Sequence, residues 1–382
     1  MDIDLAAKFG IIRAASATPR MRVGDPAYNT SEIKDLIIRA HSEGAGVIVF
    51  PELCITGYTC QDLFYQSALR NAAYEAYSRL LAETASIPAV FAVGMPFVFG
   101  SRMFNCAFLA AEGKTLAIIP KTFLPNTKEF YEKRWFSCGS DDKVSEVVFM
   151  GQSVPFGSVL VEFPESGLIL GTEICEDLWS STPPSSRMAA GGANMILNLS
   201  ASNEMVAKAE YRRDLVVQQS ARCICSYVYT SAGVHESTTD LVFSGDSMIA
   251  ENGVLLSRSS RFSRESTIIY ADIDITKLCH DRITSSNFSD TSSLSYANKS
   301  FPAIRSEMKL TRPDIARDFR RPLSAYPFIP HSEASRQTIC EEIFSIQVAG
   351  LAKRMEHTAA KSVFIGISGG LDSTLALLVA HR

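Results

Sequence analysis

A cysteine between acidic residues marks the stretch GTEICEDLW, residues 171–179. Cys175 follows an apolar run that is typical of a buried strand, and the residues after it could begin a helix. Such a turn can present a nucleophile, whereas a lone cysteine is more often a small buried hydrophobic residue. The neighbouring carboxylates of Glu173 and Glu176 oppose formation of a thiolate. Taken alone, Cys175 leaves both interpretations open.

Two further reactive groups follow predicted buried strands. Glu52 comes directly after AGVIVFP, and Lys121 comes directly after AIIP, with a proline ending each run. Either group alone could be a solvated charge at a strand end. Together with Cys175 they supply a base, an oxyanion donor and a nucleophile, which are the groups that amide hydrolysis requires. A lysine or a backbone N–H on the developing oxyanion is worth about 3 kcal/mol per donor.

Predicted helices and strands alternate along the first half of the chain, and these elements must position the three groups. Apolar residues at helical intervals predict a helix from Asn29, which stands three residues before Glu32 as in a capping box, to a stop at Gly44. A second helical pattern covers 61–85, and short apolar strands cover 45–50 and 88–96. Paired strand-like runs with tight turns predict hairpins within 103–121, 158–175 and 238–262. This mixture predicts a sheet-rich, layered α/β domain.

The composition changes after this domain. Residues from about 279 to 331 are polar, serine-rich and then proline-containing, which is typical of a connector or an arm. An amphipathic helical pattern follows and leads into SVFIGISGGLDSTLALLVAHR, which predicts a strand, a glycine turn and a helix. We therefore expect a layered domain over 1–276, a connector over 277–335, and the start of a second domain over 336–382.

The three blocks PELCITGY, PKTFLPN and GTEICEDLW resemble, in order, those of the nitrilase or carbon-nitrogen hydrolase superfamily, over about residues 5–275. The resemblance implies a four-layer α-β-β-α sandwich with Glu52, Lys121 and Cys175 as catalytic residues. It also implies that Glu132, in EFYEKRWF, positions the lysine or assists proton transfer. No metal is expected in this chemistry.

The string SGGLDS between a predicted strand and a helix could hold a phosphate on backbone N–H groups at the helix N-terminus. It lacks the lysine of a Walker A loop and resembles the pyrophosphate loop of the ATP pyrophosphatases, whose domain is Rossmann-like. The resemblance implies ATP binding by a set of loop residues: Gly366, Ser368, Gly369, Gly370, Asp372 and Ser373.

A nitrilase-like domain ahead of SGGLDS is similar to the glutamine-dependent NAD synthetases, and the blocks LNLSAS and HESTTDLVFSG support this. The family implies a glutaminase that forms a thioester at Cys175 and releases ammonia. In the complete enzyme the ammonia attacks adenylated nicotinate adenine dinucleotide, with ATP and Mg²⁺ required there and no cofactor in the glutaminase. It also implies a homo-oligomer.

The same family resemblance implies which residues contact glutamine. Ser202 and Lys208 match a serine and a basic residue six positions later, although many relatives have arginine at the second position. Thr127 stands where tyrosine is common, so an aromatic wall of the pocket is expected to be missing. Further contacts and pocket lining are expected from three residues: Glu176, Tyr58 and Phe130.

Composition and charge argue against some classes of protein and leave others open. The net charge is −4 and there is no basic block, which argues against a nucleic-acid partner, and no apolar run reaches the length of a membrane span. The N-terminus lacks a signal-peptide pattern, so we expect a cytoplasmic enzyme. Two other hypotheses remain open: a stand-alone nitrilase-type amidase or carbamoylase acting on another small amide, and a non-enzymatic binding module in which Cys175 is inert.

Overall fold

The computed structural model of the protein describes residues 4–139, 144–296, 301–326, 329 and 333–382. Its internal contacts divide the chain into two compact units, the first ending at Arg321 and the second comprising Pro322–Arg382. All of the strands found in the described residues lie in the first unit, which also holds most of the helices described there.

Strands in the described residues are numbered in chain order: β1 Ile11–Thr18, β2 Ala45–Val49, β3 Val90–Phe99, β4 Arg102–Ala111, β5 Lys114–Pro120, β6 Ser145–Phe149, β7 Gln152–Phe156, β8 Leu160–Phe163, β9 Leu168–Ile174, β10 Met195–Ser200, β11 Ser226–Ser231, β12 Met248–Glu251, β13 Val254–Arg258, β14 Thr267–Asp274 and β15 Ala303–Arg305. The α-helices are α1 Leu5–Phe9, α2 Pro26–Ser42, α3 Ser67–Thr84, α4 Pro184–Ala190, α5 Lys208–Arg222, α6 Ile275–Thr284, α7 Ser286–Tyr296, α8 Glu333–Thr358 and α9 Leu371–His381. Short 3₁₀ helices cover Tyr58–Tyr65, Glu132–Arg134, Cys175–Trp179 and Val234–Glu236.

Two facing sheets form the centre of the first unit. One has the strand order β14-β1-β2-β3-β4-β5-β7-β6, and the other has the order β13-β12-β11-β10-β9-β8-β15. Each contains three neighbouring parallel strands, β1-β2-β3 and β9-β10-β11. β10 lies against β2 and β3, and β4 lies against β9. The two sheets are therefore the inner layers of a sandwich.

Helices cover the outer face of each sheet. α2 and α3 pack on the eight-stranded sheet, and α4 and α5 pack on the seven-stranded sheet. Side chains alternate between two cores: Val47 and Val49 of β2 point between the sheets, whereas Ile48 packs among the residues under α2 and α3. Both faces of β2 are thus buried, which explains its uninterrupted apolar sequence. The predicted four-layer α-β-β-α sandwich is confirmed.

The helix that was predicted to start at Asn29 begins earlier. Pro26 takes the first helical position, and the Asp25 side chain caps the helix by accepting the Tyr28 N–H at 3.1 Å. Asn29 lies inside α2, fully buried, and donates to the Ile55 carbonyl at 3.0 Å. The prediction was wrong because Asn29 looked like a cap locally, while its actual partners are distant in the chain.

The three predicted hairpins are formed. β4 and β5, β8 and β9, and β12 and β13 pair antiparallel. In each connecting turn a glycine, Gly113, Gly167 or Gly253, takes a positive φ. These hairpins matter for the site because β5 and β9 end immediately before Lys121 and Cys175.

The segment after β14 carries more regular structure than its polar composition indicates. It contains α6 and α7, and β15 extends the seven-stranded sheet beside β8. Beyond β15, Asp318 pairs at 3.1 Å with the buried Arg13 guanidinium, which also binds Asp272 at 2.7 Å. This segment therefore packs against the sandwich as far as Arg321.

In the second unit, α8 and α9 contact each other, and the SGGLDS string spans the end of the loop between them and the first turn of α9. The strand predicted over 362–367 is not formed, and the Phe364 side chain is almost fully exposed. A strand needs a neighbour for its backbone N–H and C=O groups, and within the described residues no segment pairs with this one. Across the described part of the chain, every helix is too short or too polar to span a bilayer.

Candidate active site

Glu52 and Lys121, predicted from chain-distant blocks, meet in the interior of the sandwich. Glu52 follows β2 and Lys121 follows β5, and Lys121 Nζ donates to Glu52 Oε1 at 2.6 Å. Cys175 follows β9 and is near enough for the charges of Glu52 and Lys121 to shift its pKa. The three strand ends therefore bring the acid, the amine and the thiol to one site.

Lys121 lies between two carboxylates. Its side chain is fully buried, and Nζ donates to Glu132 Oε1 at 2.7 Å as well as to Glu52. Burial disfavours the ammonium, but the charges of Glu132 and Glu52 outweigh it and raise the pKa of Lys121 well above its usual range. Lys121 is therefore a permanent cation with two of its three N–H groups bound to carboxylates.

Glu132, the predicted second glutamate, differs from Glu52 in its partners. Besides Lys121, its Oε1 accepts the Tyr58 hydroxyl at 2.7 Å. Burial raises the pKa of Glu132 to about 6, against the opposing charge of Lys121 and with a further increase from Glu52. The carboxyl of Glu132 thus changes its protonation state at a mildly acidic pH.

Glu52 has three donors of its own. Lys121 and Asn105 both donate to Oε1, the latter at 2.6 Å, and the Ala201 backbone N–H donates to Oε2 at 3.0 Å. The turn after Glu52 is strained, because Leu53 has a φ of 50°. It packs so closely on β3 that a Cβ on Gly94 would lie 2.2 Å from the Leu53 nitrogen.

Cys175 lies on an equally strained turn. It is the first residue of a 3₁₀ helix, its φ is 48°, and its N–H donates to Asn198 Oδ1 at 3.3 Å. Its side chain is only 6% exposed. Burial, and then the charge of Glu52, raise the pKa of the thiol, while Lys121 lowers it. Cys175 therefore rests as a thiol and needs a base before it can attack a carbonyl carbon.

Asp177 joins the cysteine turn to the loop that carries Lys121. Its buried Oδ1 accepts the backbone N–H groups of Thr122 at 3.1 Å and Phe123 at 2.7 Å, and Oδ2 accepts that of Ile174 at 2.9 Å. Burial, and then the charge of Glu173, raise the pKa of Asp177 well above the usual range, against the hydrogen bonds from Ile174 and Phe123. Asp177 thereby fixes the position of the loop that carries Lys121 relative to the turn that carries Cys175.

A pocket of about 460 Å³ opens beside Cys175. It is large enough for an amino-acid side chain with its backbone groups. Five of the six residues predicted to contact glutamine line it: Thr127, Phe130, Glu176, Ser202 and Lys208. Tyr58, the sixth, lines a separate small cleft on the side of Glu132. Thr127 is exposed at the pocket wall, so it provides no aromatic surface there.

Lys208 is one of two lysines that line the pocket, with Lys128 as the other. The Lys208 Nζ lies 5.2 Å from the Trp179 ring centre and 5.8 Å from that of Phe130, and it donates to Asn203 Oδ1. Asn203 in turn donates to Glu129 at 2.7 Å. Burial lowers the pKa of Lys208. The pocket therefore combines aromatic walls with lysine side chains.

The SGGLDS loop leads directly into α9, and Gly370 is the residue that precedes the helix. Gly369 has a φ of 82°, which favours glycine. The Ser373 hydroxyl contacts the Ser368 N–H at 3.3 Å and the Ser368 hydroxyl at 3.2 Å. Gly366 lies before this turn and Asp372 lies in the first turn of α9, so the six predicted ATP-loop residues are grouped around one helix N-terminus. Within the described residues, no cluster of three or more His, Cys, Asp or Glu side chains could hold a metal ion.

Sequence reasoning missed four buried polar residues that hold the site together. Besides Asn105, Asp177 and Asn198, Glu236 accepts the Tyr58 N–H at 2.8 Å and so fixes the loop beyond Glu52. Asp177 and Glu236 stand in blocks that the sequence analysis singled out, which was a usable signal. Asn105 lies inside an apolar strand pattern, where an isolated polar residue was the only sign.

Comparisons with known proteins agree with this geometry. Residues 13–279 match the family model described as carbon-nitrogen hydrolase. The whole chain aligns at 37% identity with the glutamine-dependent NAD(+) synthetase of Mycobacterium tuberculosis strain H37Rv, and it spans 56% of that relative's length.

Solved structures show the same fold. A glutamine-dependent NAD(+) synthetase from Cytophaga hutchinsonii superposes with a TM-score of 0.61 at 30% identity, over 69% of this chain and 43% of that one. A variant of the AN1 amidase from Nesterenkonia, of the nitrilase superfamily, superposes with a TM-score of 0.57 at 21% identity, over 71% and 94%. The sandwich, the order of its three sequence blocks and the matched family model agree, and the chain therefore belongs to the carbon-nitrogen hydrolase family.

Proposed function

We propose that this chain hydrolyses the side-chain amide of glutamine through Glu52, Lys121 and Cys175, and that the ammonia serves an ATP-dependent synthesis of NAD in the complete protein. The observation that carries the proposal is the buried Lys121 held between Glu52 and Glu132 beside a thiol on a strained turn. The relatives named glutamine-dependent NAD(+) synthetase support the choice of glutamine.

Acylation begins with proton transfer from the Cys175 thiol to the Glu52 carboxylate. The sulfur then forms a bond to the amide carbon, and the carbonyl π electrons move to oxygen. The remaining N–H of Lys121 and a backbone N–H at the cysteine turn stabilise that oxyanion. When the tetrahedral intermediate collapses, the C–N bond breaks, Glu52 returns the proton to nitrogen, and ammonia leaves a thioester on Cys175.

Deacylation repeats these steps with water. Glu52 takes a proton from the water molecule, the hydroxide oxygen bonds to the thioester carbon, and the C–S bond breaks. Glu52 then returns the proton to sulfur, and glutamate leaves. In both halves Lys121 stays charged, because its two carboxylate partners raise its pKa.

Recognition of glutamine is assigned to the pocket beside Cys175. Lys208 and Ser202 would bind the α-carboxylate, Glu176 would bind the α-ammonium, and Phe130 would pack on the methylene groups. The lysine offers a point charge, whereas arginine would offer a two-pronged fork, so a moderate affinity for glutamine is expected.

In the complete protein the SGGLDS loop would bind ATP. The turn between Ser368 and Ser373 fits a phosphate group, because it precedes the N-terminus of an 11-residue helix and its glycines leave the backbone accessible. Nicotinate adenine dinucleotide as the acceptor, Mg²⁺ with ATP, and a homo-oligomeric state belong to the same proposal. They rest on similarity to relatives of which this chain spans about half the length.

A substrate panel tests the proposal directly. The purified chain is incubated with glutamine, asparagine, butyramide and an N-carbamoyl amino acid, and ammonia is measured. Equal amounts of ammonia and glutamate from glutamine, with a much lower kcat/KM for the other amides, support a glutaminase. Preference for butyramide or the carbamoyl compound would instead favour a general amidase or carbamoylase.

A further inference from the structure

Asn105 contacts both glutamates of the cluster with its side chain and the backbone of Lys121 with its own backbone. Its Nδ2 donates to Glu52 Oε1 at 2.6 Å and lies 3.4 Å from Glu132 Oε2. Its backbone carbonyl accepts the backbone N–H of Lys121 at 2.8 Å. It lies in β4, between β3 and β5, and is 1% exposed. A single residue thus holds the carboxylate of Glu52 with its side chain and the main chain at Lys121 with its backbone.

The acceptor side of the same amide is unused. Asn105 Oδ1 is buried, and no group within the described residues donates to it. An unpaired buried acceptor is costly, so an amide placed only for structure would be expected to have a partner on both sides. A flipped amide would turn its oxygen toward two carboxylates, which accept but do not donate when ionised. The contact with Glu52 therefore determines the orientation of Asn105.

The two carboxylates receive unequal support from this amide. The short contact to Glu52 Oε1 restrains that carboxylate, while the long contact to Glu132 contributes little. Around Glu52 the titratable groups are Lys121, Glu132, Tyr58 and Cys175. Lys121 contacts both glutamates equally closely, and Tyr58 donates to Glu132. Among these polar side chains, Asn105 is therefore the one that bonds closely to Glu52 and only weakly to Glu132.

We propose that Asn105 is a positioning residue that holds the Glu52 carboxylate in one rotamer, so that Glu52 acts as the base while Glu132 anchors Lys121. This inference rests on the proposed function. On this inference, Asn105 determines which of the two glutamates that share Lys121 acts as the base.

The test replaces Asn105 with leucine, which has a similar volume and no donor, and with serine as a second variant in case leucine prevents folding. Asn194→Leu is the matched control. Asn194 is also a buried amide, but it bonds only to the backbone of Ile169 and Gly167, away from the catalytic cluster. Thermal melting identifies the variants that fold.

For glutamine hydrolysis by Asn105→Leu, we expect kcat to fall by about ten- to a hundredfold with KM within threefold of the wild-type value. The loss should fall on kcat and not on KM, because the pocket that binds glutamine is unchanged. Asn194→Leu should lower the melting temperature and leave the kinetics unchanged.

Alkylation of Cys175 by iodoacetamide provides a readout that does not depend on turnover. At one fixed pH its rate should be lower in Asn105→Leu than in the wild type, because the base that activates the thiol is no longer held in place. If the wild type releases no ammonia, the proposed function fails and this alkylation rate alone decides the role of Asn105. An Asn105 variant that folds and matches Asn194→Leu in kinetics and in alkylation overturns the inference.

Discussion

The Asp177 carboxylate accepts a 2.7 Å hydrogen bond from the backbone N–H of Phe123, two residues beyond Lys121. Because its second oxygen binds the N–H of Ile174, directly before Cys175, this buried side chain spans the two loops that carry the amine and the thiol. The distance between oxyanion donor and nucleophile therefore depends on a residue that takes no part in the proposed chemistry.

Replacing Asp177 with asparagine should lower kcat more than tenfold and destabilise the fold by about 2 kcal/mol, because an amide has one acceptor oxygen for three N–H donors. Glu173→Gln is the control. Glu173 is equally buried but binds the Ser185 N–H and the Tyr227 hydroxyl on the helix-covered side. The positioning role is supported if both variants lose similar stability but only Asp177→Asn loses kcat. Equal kinetics in the two variants would contradict it.

Lys121→Met removes the cation and keeps a chain of similar length. Two buried carboxylates then lose their shared partner, so the free energy of unfolding should fall by about 3–5 kcal/mol. The rate of glutamine hydrolysis should fall on the order of a hundredfold or more through the lost oxyanion donor. Urea unfolding and steady-state kinetics measure the two effects. A rate within a few-fold of the wild type would remove Lys121 from the oxyanion role.

Glu132→Gln isolates the pH dependence of one buried carboxyl. Burial raises the pKa of Glu132 from an ordinary 4.5 to about 6, so between these values the folded state binds more protons than the unfolded state. The stability that this group contributes is fully present below pH 4.5 and is lost as pH rises through 6, by on the order of 2 kcal/mol.

Urea titrations at several pH values measure this effect as the difference in unfolding free energy between the wild type and Glu132→Gln. That difference should fall as the pH rises across the window. A difference that stays constant from pH 4.5 to 6.5 would show that the protonation of Glu132 does not change there.

Gly94→Ala tests whether close packing on β3 fixes the base. The new Cβ would lie 2.2 Å from the Leu53 nitrogen and must displace the turn after Glu52. A loss of stability of about 1–3 kcal/mol and a lower kcat are expected. Gly46→Ala makes a comparable clash, 2.5 Å from the Thr311 carbonyl oxygen, at the other end of β2. This control should lose stability without losing catalytic rate; a similar fall in kcat for both would contradict the assignment.

The parts of the structure that the sequence predicted are those encoded by short segments. Apolar runs that end in a proline located the strand ends of Glu52 and Lys121, and paired runs with glycine turns located the hairpins. The proposed triad could be named because the three blocks that carry its members resemble, in the same order, those of the carbon-nitrogen hydrolase superfamily.

What could not be predicted depends on contacts between distant segments. Asn105 is 53 residues from Glu52, and Asp177 is 54 residues from Phe123, so no local pattern links them. The cap of α2 was misplaced for the same reason, since Asn29 serves a loop 26 residues away. The strand expected before SGGLDS is not formed for a different reason. An apolar strand of this kind requires a partner strand, which the described residues do not contain.

The most direct test of the central claim is the intact mass of the chain during turnover of glutamine, quenched in acid. The wild type and Cys223→Ala, which lacks another buried thiol, should both release ammonia and carry a glutamyl thioester adduct that maps to Cys175. Cys175→Ala should fold normally, carry no adduct and release no ammonia. Ammonia release at the wild-type rate by Cys175→Ala, or an adduct on another residue, would contradict the account.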